Sequence, residues 1–142
     1  RAVLFMNEEN GNRGGTAYAD ADRAGETAIA AIESDRGGAM PHGFFVGGDP
    51  KILETVSRWK PIFEPIAMDR FEPGGGGTDI GPLMSKGVPG FSIRVDTQRY
   101  FDYHHSANDV IEAVNERELE LGSIGLALFS YMIAEEGLPA SK

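Results

Sequence analysis

The sequence predicts an α/β fold built on a mostly parallel sheet, and three observations carry that prediction. Apolar runs recur at residues 2–6 (AVLFM), 27–32 (TAIAAI) and 90–95 (GFSIRV). The first run is continuous rather than alternating, which is the pattern of a strand covered on both faces. Segments with helix-start signals stand between and after them, and strands alternating with helices give parallel neighbours.

Taken in order, the first run stops at Asn7, and NEENGNRGG follows as a turn-rich loop. Residues 16–24 read as a helix entered after Gly14-Gly15. Residues 27–32 read as a second buried strand, ending at Glu33-Ser34-Asp35. Residues 36–48 (RGGAMPHGFFVGG) read as a long glycine-rich loop, with His42 as a surface loop residue. Asp49-Pro50 opens a helix, Asp as the cap and Pro at the first position, running to about Phe63. Residues 66–68 read as a short strand. EPGGGGTDIGPLMSKGVPG then forms a loop whose four consecutive glycines can turn sharply and approach a ligand closely. After the strand at 90–95, Asn115 caps the last helix, and Glu118 at the third position completes a capping-box pattern. That helix extends to about Glu136, is apolar on most sides, and is expected to pack on the sheet. There is no internal repeat and no heptad pattern.

Composition narrows the function. The 142 residues suffice for one domain with a core, and 41% hydrophobic with 25% charged residues is ordinary for a globular chain. No apolar run approaches the roughly 20 residues of a membrane span. A net charge of −9, from 22 acids against 13 bases, argues against a nucleic-acid partner. With no cysteine, any metal must be held by His, Asp and Glu. The chain opens RAVLFMNEENG, already inside an apolar run, so Arg1 is expected to be an internal point of a longer protein whose N-terminal portion is missing here.

In open α/β sheets, sites form at the carboxyl ends of strands. Glu8-Glu9 follow the first expected strand, Asp35 the second, and His104-His105 lie a few residues past the GFSIRV strand. Three strand ends therefore bring metal-type ligands to one edge. A co-catalytic metal hydrolase needs such ligands and a free carboxylate to take a proton from water. The same residues also read as an acidic solvated turn, a turn-capping Asp35 and a polar histidine loop.

The stretches NEENG, AIESDRG, GGTDIGPLMSKGVP and YFDYHHSAND, in this order and spacing, resemble the zinc-dependent aminopeptidase family that includes plasma glutamate carboxypeptidase. The similarity runs from about Ala2 to Ile133. It implies a three-layer α/β/α sandwich of the zinc-exopeptidase type, of which residues 1–142 would be the C-terminal part of a single catalytic domain. It implies two zinc ions and a peptide or dipeptide substrate. On the matching positions, Glu8 looks like the general base, Glu9 and His105 like ligands of one zinc, and Asp35 like a ligand of the other. His105-Ser106-Ala107-Asn108-Asp109 fits the family frame of His, Ser or Thr, two residues and Asp, so the resemblance selects His105 over His104. Asp109 looks like a residue that supports or fixes the loop, His104 like a pocket neighbour. The glycine run with Thr78-Asp79 looks like a loop on the substrate side, and Tyr100 and Tyr103 are both candidates to contact the reacting carbonyl, a choice the sequence leaves open.

The family site also needs an upstream His and a bridging Asp, and His42 stands at the wrong place in order to serve. The chain alone is therefore expected to bind zinc poorly and not to turn over. The resemblance leans towards a secreted or periplasmic protein, and a homodimer stays open. Three alternatives stand beside it: an inactive peptidase-like binding domain, a single-zinc acyltransferase of the glutaminyl-cyclase type, and an α/β protein without metal whose acids are solvated strand ends.

Overall fold

The computed structural model describes residues 1–139. Four strands form one sheet: β1 (Ala31–Glu33), β2 (Pro41–Val46), β3 (Arg70–Pro73) and β4 (Gly90–Val95), in the spatial order β1-β4-β2-β3. β1 runs parallel to β4 and β2 parallel to β3, whereas β2 and β4 are antiparallel. The mostly parallel α/β sheet read from the sequence is what forms. The helices are α1 (Arg13–Asp20), α2 (Pro50–Ser57), α3 (Lys60–Phe63), α4 (Gly81–Met84), α5 (Tyr100–Tyr103) and α6 (Glu116–Glu136).

Alternation along the strands sorts the two faces. Phe44 and Val46 of β2 and Phe91, Ile93 and Val95 of β4 point to one side. There they meet Ile52 and Val56 of α2, Trp59, Phe63 of α3, and Phe129, Met132 and Ile133 of α6. Phe129 is the hub. Its ring stacks on Phe44 with centroids 4.1 Å apart and meets Phe91 edge-on at 5.1 Å and Trp59 at 5.7 Å, offset and edge-to-face geometries that aromatic quadrupoles favour. On the other side, a smaller cluster joins Ala31 to Ala19 of α1 and to Ile80 and Leu83 beside and within α4. Helices thus cover both faces, giving three layers.

Several elements depart from the sequence reading, each for a physical reason. Residues 2–6 form no strand: they pair with no described strand, and Leu4 is 97% exposed. Of residues 27–32, only the last two enter β1, which continues to Glu33. The first helix begins at Arg13 and ends at Asp20 instead of spanning 16–24. Residues 36–48 are not all loop, because Pro41–Val46 is β2, one of the sheet's two inner strands, with half-buried His42 inside it rather than on a surface loop. A register irregularity at Pro41 and Gly43 lets this glycine- and proline-bearing segment pair on both sides. The helix after Asp49 breaks at Arg58-Trp59 before resuming as α3, since Pro61 can neither donate to nor fit a continuing helix interior. The strand expected at 66–68 starts later, at Arg70, because Glu64–Ile66 is a 3₁₀ turn ending at left-handed Ala67 (φ 55°).

The capping signals hold. Asp49 accepts a hydrogen bond from the Lys51 N–H at 2.9 Å, and Asn115 accepts one from the Glu118 N–H at 3.1 Å. α6 buries one stripe, Gly125, Phe129, Met132 and Ile133, and leaves Leu119, Ile124 and Tyr131 outside.

Candidate active site

Two segments far apart in sequence meet beyond the carboxyl ends of β1 and β4. Asn7 adopts φ 61°, a left-handed conformation that Asn tolerates, and turns the chain into Glu8-Glu9. The Glu8 carbonyl accepts from the N–H groups of Gly11 and Asn12 at 3.1 and 2.9 Å, closing the turn. From the other side comes the loop after α5. His105 itself has φ 53°, an uncommon conformation for a non-glycine residue. Its Nε2 lies 2.7 Å from Glu9 Oε1, a contact spanning 96 positions of sequence.

The His105 ring is held in place by stacking. His104 lies 3.9 Å from it at 23°, and Tyr100 lies 4.6 Å from His104 at 22°. Tyr100, His104 and His105 thus form a ladder of rings ending at the Glu9 carboxylate. The loop beneath is tied by Ser106, whose hydroxyl donates to the Tyr103 carbonyl at 2.8 Å and accepts from the Asn108 N–H at 3.2 Å. Asp109 N–H donates to the Ser106 carbonyl at 3.2 Å.

A second group of acids gathers beside this pair. Glu33, 8% exposed, ends β1 and accepts from the Ile80 N–H at 3.0 Å. Burial pushes its carboxyl up, the Ile80 bond opposes that, and the charges of Asp35 and Asp79 add to the rise. Asp79 is likewise pushed up, first by burial, then by Asp35 and Glu8. Its Oδ1 is buried without a hydrogen-bond partner. Among the described residues, no Lys or Arg forms an ion pair with Glu8, Glu33, Asp35 or Asp79. Four carboxylates with no basic partner make a corner that a cation would stabilise.

The glycine run is packed rather than loose. A side chain at Gly77 would collide with the Glu33 carboxylate, and one at Gly75 would lie 2.5 Å from the Gly47 nitrogen and 2.8 Å from the Gly90 carbonyl oxygen. Glycine here lets the loop carrying Asp79 lie directly on the strand ends. Asn12 Nδ2 donates to the Thr78 carbonyl, tying the Glu8-Glu9 turn to the same loop.

A cavity of about 510 Å³ opens alongside, lined by Asp35, Arg36, Met40, Tyr100, Tyr103, His104, Asp109 and Val114 among others. The structure therefore brings Glu9 and His105 into contact, puts His104 and Tyr100 behind them, and sets Glu8 and Asp35 close enough to Asp79 for their charges to raise its carboxyl. His42 takes no part in any of these contacts. Glu33, Asn12 and Ser106 were missed in the sequence. Glu33 carried a signal there as an acid ending an apolar strand run, and Ser106 as the Ser or Thr position of the His105 motif.

The donors fit zinc in kind, since carboxylate oxygen and imidazole nitrogen are its ordinary ligands. They fall short in number. Among the described residues, no three His, Asp or Glu side chains converge closely enough to hold one ion.

Known proteins share this arrangement of chain. A family model described as peptidase family M28 matches residues 1–127. The chain belongs to peptidase family M28. Carboxypeptidase Q of Bos taurus is 31% identical over 144 residues, covering 99% of this chain and 30% of its own length. Carboxypeptidase Q of Xenopus laevis is 32% identical, covering 98% and 30%. Among solved structures, the peptidase M28 precursor from Shewanella amazonensis SB2B superposes with a TM-score of 0.83 at 29% identity, covering 99% of this chain and 33% of that one. The chain thus spans about a third of the length of these relatives. Among the described residues, no helix is long and apolar enough to cross a membrane.

Proposed function

We propose that this chain supplies the general base and three metal ligands of a zinc-dependent exopeptidase, as the C-terminal part of its catalytic domain. The observation that carries the reading is the Glu9–His105 contact at 2.7 Å, beside an acid corner with no basic partner. Glu9 and His105 would hold one ion and Asp35 a second. The remaining ligands would come from polypeptide outside these residues, consistent with the 30% of relatives' length that the chain covers. Zinc, when bound, supplies Lewis-acid activation of water and of the scissile carbonyl.

The work of the chain's own residues follows from their placement. Glu8, adjacent in sequence to Glu9, takes the proton of the attacking water and passes it to the leaving amine. The Tyr100–His104 stack fixes the His105 ring. The cavity walled by Met40, Tyr103 and Val114 receives a side chain of the substrate, a peptide or dipeptide. Family membership supports the peptidase class, and the name carboxypeptidase Q on the relatives favours a free-ended peptide substrate.

Glu8→Gln in the intact protein tests the assignment. Turnover should fall by about 10²–10⁴-fold, the usual worth of a general base, while zinc content stays unchanged. Undiminished turnover would refute the role given to Glu8. The alternative, a single-ion acyltransferase of the glutaminyl-cyclase type, would use Glu9 and His105 alone and bind one ion in place of two. Zinc stoichiometry separates the two readings.

A further inference from the structure

The chain has five asparagines, and only Asn10 is followed by glycine. Asn10 and Gly11 lie in the turn that presents Glu8 and Glu9, and both are exposed. Three of the other asparagines are held by their side chains: Asn12 donates to the Thr78 carbonyl, Asn108 to the Asp102 carbonyl, and Asn115 caps α6. Asn7 precedes the bulkier Glu8. The Asn10 side chain has no hydrogen-bond partner among the described residues. Gly11 has φ 94°, and a side chain built there would meet nothing within 4 Å, so its backbone is uncrowded. The Gly11 N–H donates to the Glu8 carbonyl at 3.1 Å, but that oxygen also accepts from the Asn12 N–H at 2.9 Å. It stays satisfied when Gly11 lets go.

We propose that Asn10-Gly11 is a self-modification site, where the chain releases ammonia and residue 10 becomes aspartate or isoaspartate. The Gly11 nitrogen gives its proton to hydroxide and attacks Asn10 Cγ. A nitrogen–carbon bond forms, the bond from Cγ to the amide nitrogen breaks, and ammonia leaves with a proton taken from water. The product is a five-membered imide. Water then adds to one of its two carbonyls. Opening on one side gives aspartate, and opening on the other gives isoaspartate, whose backbone runs through the former side chain and is one methylene longer. Overall one water is consumed and one ammonia released. Residue 10 follows Glu9, whose carboxylate meets His105 at 2.7 Å. The imide removes the Gly11 N–H that helps close the turn, isoaspartate respaces it, and either product adds a carboxylate next to Glu8-Glu9, where like charges repel. Conversion therefore pulls the Glu9–His105 pair apart. The modification is independent of the catalytic reading, and only its effect on zinc rests on that reading.

The test is to age the intact protein in warm, mildly alkaline buffer and to follow its peptides by mass spectrometry, with an isoaspartate-specific methyltransferase to tell the two products apart. Residue 10 should lose its amide about tenfold or more faster than any other asparagine, a ratio that a small difference in barrier supplies. Isoaspartate should appear there, and zinc content should fall in step. Asn10→Gln, whose longer side chain would have to close a six-membered ring, should keep both its amide and its zinc over the same period. An Asn10 that survives, or that converts no faster than the other asparagines, would overturn the proposal. Conversion with zinc fully retained would overturn its effect on the Glu9–His105 pair. Fresh protein that takes up no zinc would count against the catalytic reading instead, and the mass measurement would still decide the modification.

Discussion

The two faces of the sheet differ in how completely this chain closes them. Under α2, α3 and α6, fourteen buried residues form one cluster centred on Phe129, with four phenylalanines and Trp59 in contact with its ring. Under α1 and α4 the cluster has four, Ala19, Ala31, Ile80 and Leu83, and it borders an open groove along β1. The first face is self-sufficient. The second stops short at the free edge of β1. The scaffold of this chain is thus concentrated on one face of its sheet.

The contrast can be broken most sharply in the core. Phe129→Ala should cost about 3–5 kcal/mol, the range for a fully buried aromatic, and Leu83→Ala should cost nearer 2 kcal/mol because its surroundings can relax towards the groove. Urea denaturation midpoints read the difference. Equal losses would show the two faces to be equally packed.

The glycine loop is the next largest effect. Gly77→Ala drives a methyl group into the Glu33 carboxylate and should destabilise by about 1–3 kcal/mol, as overpacking does. Gly81→Ala meets nothing within 4 Å and should be neutral or slightly stabilising. Thermal melts of the pair tell a seated loop from a loose one, since a loose loop would tolerate both. Asn115→Ala, removing the α6 cap, should cost about 1 kcal/mol on the closed face, and the same melts measure it.

The smallest effect is in pH, on the open side. The carboxyls of Glu33 and Asp79 are raised in the fold. Raised acids bind protons more tightly folded than unfolded, so their stabilising contribution is complete below the ordinary carboxylate range and is lost as pH rises through the raised values. Metal-free protein should therefore lose stability across that window, and Glu33→Gln, which still accepts from the Ile80 N–H, should flatten the slope. An unchanged slope in the variant would remove Glu33 as its source.

The sequence made legible whatever rests on local chemistry. The Asp49 and Asn115 caps are side chain-to-backbone bonds within three residues, and GFSIRV is apolar enough to be a strand in any setting. β2 was hidden because Pro41 and Gly43 are poor strand residues in isolation, made tolerable by a ladder on each side. Residues 2–6 misled in the opposite direction: their apolarity is that of a strand, and the partners it needs are not among the described residues. At the site, the acid pair and His105 were visible as ligand types following strands, and the motifs picked out His105. Glu33 and Ser106 act through bonds to Ile80 and Tyr103 that only the folded loops create.

Zinc analysis of the intact protein, beside the 142-residue chain prepared the same way, tests the central claim most directly. The account predicts two equivalents in the intact protein and far less in the shorter chain, with Glu9→Ala and His105→Ala each lowering the intact protein's content. One equivalent would favour the single-ion acyltransferase. An intact protein that takes up no zinc when it is supplied would contradict the account and leave Glu9 and His105 as a polar contact at the end of a sheet.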